Sequence, residues 1–100
     1  MAEQGIKVIH EVEYAGRSSC RFSKVIELNG KRFKITHDTG NCYSYTQIFV
    51  MLPTSAWERV ADEDDIGDCY INYVADESIK EMKMAHIYDK AVEYIKNVFC

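Results

Sequence analysis

Residues 18–37, SSCRFSKVIELNGKRFKITH, decide the architecture. Two runs that alternate apolar and polar residues flank Asn29-Gly30. Asn-Gly between such runs predicts a type I′ hairpin, because both turn positions need a positive φ. A two-residue turn sets the register. Leu28 then faces Lys31, Ile26 faces Phe33, and Phe22 faces His37, which makes one side apolar. The other side pairs Glu27 with Arg32 and Val25 with Lys34, with Arg21 and Ser23 further along. That side reads as wet and cationic.

Moving outward, Ile6 to Tyr14 alternates again and predicts a strand, with Ala15-Gly16 turning the chain into the hairpin. Asp38-Thr39-Gly40-Asn41 has the composition of a turn. Cys42 to Leu52 is rich in aromatic and β-branched residues and predicts a fourth strand. Its far end, Ile48-Phe49-Val50-Met51-Leu52, is apolar on both sides, as in an interior strand covered on both faces or one running under a connection. Pro53 ends it. Ser55-Ala56-Trp57-Glu58 matches a capping box, so a short helix is expected over 56–61. The acidic run 62–68 then reads as a loop, and Cys69 to Val74 as a fifth short strand.

Asp76 or Ser78 opens a long helix, and Ser78 with Glu81 forms a second capping-box match. Positions 84, 88, 91, 92, 95, 98 and 99 lie on one apolar stripe at helical spacing. Ile79 and Met82 fall off that stripe, while Lys80 and Glu81 fall on it. Either the regular helix begins near residue 82, with a frayed first turn, or Ile79 and Met82 meet a partner. The fold expected is therefore α+β. It has a mostly antiparallel, four- to five-stranded meander sheet, a long C-terminal helix packed on one face, and a short helix in the 53–68 connection. One hundred residues make a single domain, with residues 1–5 expected to be disordered.

Charge is sorted along the chain. Residues 1–36 carry +3, residues 37–79 carry −8 and residues 80–100 carry +1, for a net −4. The start lacks a basic segment followed by an apolar one, which points to a cytoplasmic setting with the four cysteines reduced. No uncharged stretch is apolar enough to span a membrane, so no membrane partner is expected.

Catalytic motifs are missing from the pattern. The glycines are isolated, no serine elbow occurs, and neither Cys-x-x-Cys nor His-x-x-x-His is present. No cofactor, metal site or catalytic residue is assigned. His37 beside Cys42 is the one local thiol–base pairing, and it gives a third reading as a small thiol enzyme. The leading reading is a non-catalytic inhibitor or adaptor of the sort a phage or mobile element encodes. It would dock Glu58, Asp62, Glu63, Asp64, Asp65 and Asp68 on a basic surface of another protein, with Trp57, Ile79 and Met82 as apolar contacts. The alternative is a nucleic-acid or small-anion binder using Arg21, Arg32 and Lys34 with Tyr43 and Tyr45. The net negative charge opposes that alternative. The apolar end of the fourth strand and the off-stripe Ile79 and Met82 leave room for a homodimer.

Overall fold

The computed structural model describes residues 6–99. The expectation for residues 1–5 and the state of Cys100 lie outside that range. Five strands, β1 (Ile6–Ala15), β2 (Cys20–Leu28), β3 (Lys31–Thr39), β4 (Ser44–Met51) and β5 (Trp57–Asp62), pair antiparallel in sequence order. They are followed by a one-turn helix α1 (Glu63–Ile66) and a long helix α2 (Glu77–Phe99). This is the expected α+β meander with a short helix after β5 and a long C-terminal helix.

The central hairpin has the register set by its turn. Leu28 pairs with Lys31, Ile26 with Phe33 and Phe22 with His37. Asn29 and Gly30 have φ of 54° and 82°, the positive values a type I′ turn needs. Alternation then puts Cys20, Phe22, Ile26 and Leu28 of β2 and Phe33 and Ile35 of β3 in the core. Ile48, Val50 and Ala61 extend that core across β4 and β5. Helix α2 covers it with Met84, Ile87, Ala91, Val92 and Ile95. Each fully buried Ile is worth roughly 2–3 kcal/mol of transfer free energy.

Four local expectations are corrected. First, the expected helix over 56–61 does not form; Trp57–Asp62 is strand β5. Ser55 has φ +73°, which is incompatible with the extended backbone of an N-cap. Its N–H donates to the Leu52 carbonyl at 2.8 Å, and Leu52 N–H donates to the Ala56 carbonyl at 2.8 Å. Pro53 therefore starts a tight hairpin loop that returns the chain beside β4, as proline's fixed φ favours. The capping box that does form lies in the acidic run. Asp62 accepts from Asp64 N–H at 2.9 Å, and Asp65 accepts from Asp62 N–H at 3.0 Å.

Second, 69–74 is not a strand. Cys69 and Ile71 are buried while Tyr70 is exposed, so the alternation is real. The segment pairs with no described strand, however, although β1 and β5 each keep an outer edge, and an Asn72 turn bends it, with Ala75 N–H donating to the Asn72 carbonyl at 3.0 Å. Alternation here reports burial against the core, not strand pairing. Third, α2 is regular from Glu77, and its buried stripe includes Lys80 and Ile87 while Val98 is exposed. Lys80 is fully buried and its Nζ donates to the Gly16 and Arg17 carbonyls, at 2.8 Å each. The lysine belongs on the inner face because it satisfies two turn carbonyls there. Ile79 and Met82 are consequently exposed.

Fourth, β4 is interior in strand order but covered on one face. Its Phe49 and Met51 are only half-buried on the side opposite α2. The apolar end of β4 is thus flanked by β3 and β5 and offers no edge for a second copy.

Candidate functional site

Residues opposite one another in neighbouring strands share a face. The face away from α2 can therefore be read off the register. At one end Tyr14, Arg21, Asp38 and Tyr45 form a cross-strand row. The next row is Val12, Ser23, Thr36 and Gln47, and the next is His10, Val25, Lys34, Phe49 and Arg59. Lys7, Glu27 and Arg32 follow, and Met51 with Trp57 flank them on β4 and β5. Five cations thus share this face with three acids, Glu27, Asp38 and Asp62, although the whole chain carries −4.

The first two rows frame a concavity of about 540 Å³, whose lining includes Val12, Arg21, Thr36, Asp38, Tyr45 and Gln47. Tyr14 walls it at the β1 edge, with the Arg21 guanidinium 5.0 Å from its ring centroid. Tyr45 stands on the β4 side, stacked on Tyr43 at 5.4 Å and 13°. Both outlying tyrosines lie against glycines, Tyr14 on Gly16 and Tyr43 on Gly40, where any Cβ would collide with the ring. In the cationic sector Lys34 Nζ lies 5.0 Å from the ring centroids of both Phe49 and Trp57. Such contacts are each worth roughly 0.5–2 kcal/mol and hold the ammonium in place.

Arg21, Arg32, Lys34 and Tyr45 are thus brought onto one face, with Tyr43 at its rim. Trp57 joins them. It does not meet Ile79 and Met82, which project from α2 on the opposite side of the sheet. Arg59, Val12 and Gln47 were missed by sequence reasoning. Arg59 would have followed from alternation had 57–62 been read as a strand.

The acidic residues are dispersed among separate tasks. Asp62 and Asp65 cap α1, and Glu63 accepts the Thr46 N–H at 2.9 Å. Asp68 lies 3.2 Å from His86 Nε2. That hydrogen bond, with Lys83 and Lys90 nearby, holds the Asp68 carboxyl below its ordinary range. Glu58 lies on the β5 edge beside a groove shared with Lys31 and Arg32 at the hairpin tip. The exposed carboxylates of this run are those of Glu58, Asp64, Asp65 and Asp68.

His37 sits inside the molecule. Its Nδ1 is 2.7 Å from the Thr46 hydroxyl and its Nε2 is 2.6 Å from the Thr39 hydroxyl. Thr39 continues to Ser44 at 2.9 Å, and Ser44 donates to the Cys69 carbonyl at 3.1 Å. Burial lowers the His37 pKa to about 4, opposed by the Glu63 charge. Cys42 is exposed, whereas burial pushes the Cys20 and Cys69 thiols up. With both ring nitrogens engaged, His37 serves the packing of β3 on β4. Among the described residues no group of three or more His, Cys, Asp or Glu side chains could hold a metal ion, and no helix is long and apolar enough to cross a membrane.

No family model, curated protein or solved structure matches the chain.

Proposed function

We propose that the protein is a non-catalytic protein-binding module, an inhibitor or adaptor, acting through the uncovered face of its sheet. One observation carries this reading. The side of the sheet that no described element covers gathers Trp57, Tyr14, Tyr45, Arg21, Arg32 and Arg59, the residue types that dominate binding energy at protein interfaces. A cytoplasmic setting belongs to the same proposal and is supported by the free thiols of Cys20, Cys42 and Cys69.

The exposed acids favour a second reading, in which the 58–68 region docks on a basic partner surface. Its support is the capping box, which orders α1 so that Asp64 and Asp65 stand out with no cation in the helix's last turn. Nucleic-acid binding is less well supported. Three acids, Glu27, Asp38 and Asp62, interrupt the cations that would track a phosphate backbone, and the chain carries −4 overall.

Affinity capture from lysate tests the choice with three baits: the wild type, Arg32→Glu with Arg59→Glu, and Asp64→Asn with Asp65→Asn and Asp68→Asn. Loss of a specific partner with the first variant alone is expected. Loss with the acid variant alone would move the docking site to the 58–68 region. Equal recovery of the same proteins by all three baits would refute both surfaces.

A further inference from the structure

We propose that the partner segment received by the uncovered face is an acidic polypeptide carrying an apolar side chain. It would lie extended across β2 to β5. This rests on the protein-binding reading above and adds the chemistry of the partner. Three features lead to it.

The first is charge. Arg32 and Lys34 sit on β3 and Arg59 on β5 of this face, with β4 between them, and Lys7 adds to them from β1. The molecule elsewhere is acidic, so the face is the place where an anionic chain meets attraction while the remainder repels it. Complementarity of this sort steers docking and fixes orientation more than it raises affinity.

The second is shape. The cationic sector adjoins the concavity between Val12 and Tyr45, whose side chains are 55% and 56% exposed. Arg21, Ser23, Asp38 and Gln47 supply polar groups beside the exposed apolar surface of Val12 and Tyr45. A hollow of about 540 Å³ accommodates one large apolar side chain with room to spare, which makes it an anchor pocket beside a charged track.

The third is preorganisation. Lys34 is held between Phe49 and Trp57, and Arg21 is held on Tyr14, so these cations lose little freedom when an anion arrives. Glu27, Asp38 and Asp62 on the same face break the cations into separate points, which suits spaced carboxylates better than a continuous row of phosphates and favours a polypeptide over a polynucleotide.

The test uses a labelled peptide of about twelve residues, extended to roughly 40 Å, comparable to the molecule's 39 Å long axis. It consists of Glu and Asp with one central Phe. A Lys-rich peptide of equal length and an oligothymidylate serve as comparators. Trp57 is the chain's one tryptophan and lies on the face, so its emission reports occupancy without a label. The acidic peptide should bind, change Trp57 emission, and lose affinity about tenfold with Arg32→Glu plus Arg59→Glu. Exchanging Phe for Gly in the peptide should also weaken it. Should the charge reversals lower the melting temperature, Arg32→Gln with Arg59→Gln replaces them. Preference for the oligothymidylate, binding indifferent to these variants, or no binding at low salt would each overturn the proposal. A partner captured from lysate by the wild type and by the Arg32, Arg59 variant alike would leave protein binding intact and remove this face from it.

Discussion

At the scale of single residues, two buried polar side chains carry more of this fold than their chemistry suggests. Lys80 is fully buried, and its Nζ binds carbonyls 64 and 63 residues earlier. Removing one partner from a buried hydrogen bond costs more than the bond itself is worth, because the orphaned group stays desolvated. Lys80→Ala should therefore destabilise by about 3 kcal/mol. Lys80→Met should recover the packing and leave the two carbonyls orphaned, so it falls between. Urea unfolding of the three proteins checks the order. His37 makes stability depend on pH. Unfolded, it titrates near 6.5; folded, near 4, because burial disfavours the imidazolium. Between those values the unfolded chain binds a proton that the native protein does not. The contribution is full above pH 6.5 and falls away as pH drops toward 4, by about 3 kcal/mol in all. Glu63 faces the ring and moderates the loss. In urea melts at pH 7, 5 and 4, His37→Gln should lack this component.

At the scale of elements, hairpins differ in how plainly they announce themselves. The β2–β3 hairpin needs only its own twenty residues, since Asn29-Gly30 and the alternation beside it agree. The β4–β5 hairpin is harder because Ser55-x-x-Glu58 satisfies a helix-start pattern while Pro53 satisfies a turn. What decides is a free edge on β4, and no local pattern encodes that. The candidate site was legible to the same extent. Arg21, Arg32 and Lys34 follow from the central hairpin, whereas Trp57 and Arg59 depended on recognising β5. Lys80 looked like an error of helical phase because its partners lie in a distant turn. Ser55 gives a direct test of the tighter loop. Its φ of +73° is costly for a residue with a Cβ. Ser55→Gly should stabilise by up to about 1 kcal/mol, the strain relief exceeding glycine's entropy cost. Ser55→Val should destabilise. Thermal melts of both would settle whether the residue turns a hairpin or caps a helix.

At the scale of the whole molecule, charge and cover are distributed together. One side of the sheet is covered by α2, and on the other, which no described element covers, stand Lys7, Arg21, Arg32, Lys34 and Arg59. Stability then depends heavily on the packing of α2 against the sheet. Ile87 and Ile95 are fully buried in it. Each change to Ala should cost about 2–5 kcal/mol, depending on how far the cavity collapses. A domain of this size holds roughly 5–15 kcal/mol in total. The double variant should lose its near-ultraviolet circular dichroism at room temperature, while Arg32→Glu with Arg59→Glu should melt as the wild type does. A wild-type-like spectrum for the double Ile variant would mean that α2 contributes little to the core.

The order of the elements also has a consequence for biosynthesis. All five strands leave the ribosome before any of α2 does. The nascent meander can form its hairpins locally, yet its apolar side waits uncovered for the segment that closes it, and so does the turn that Lys80 will clasp. During that interval the sheet is a sticky intermediate of the sort chaperones bind. A ribosome stalled before residue 77 would display such an intermediate, and release of the helix would bury it in one step.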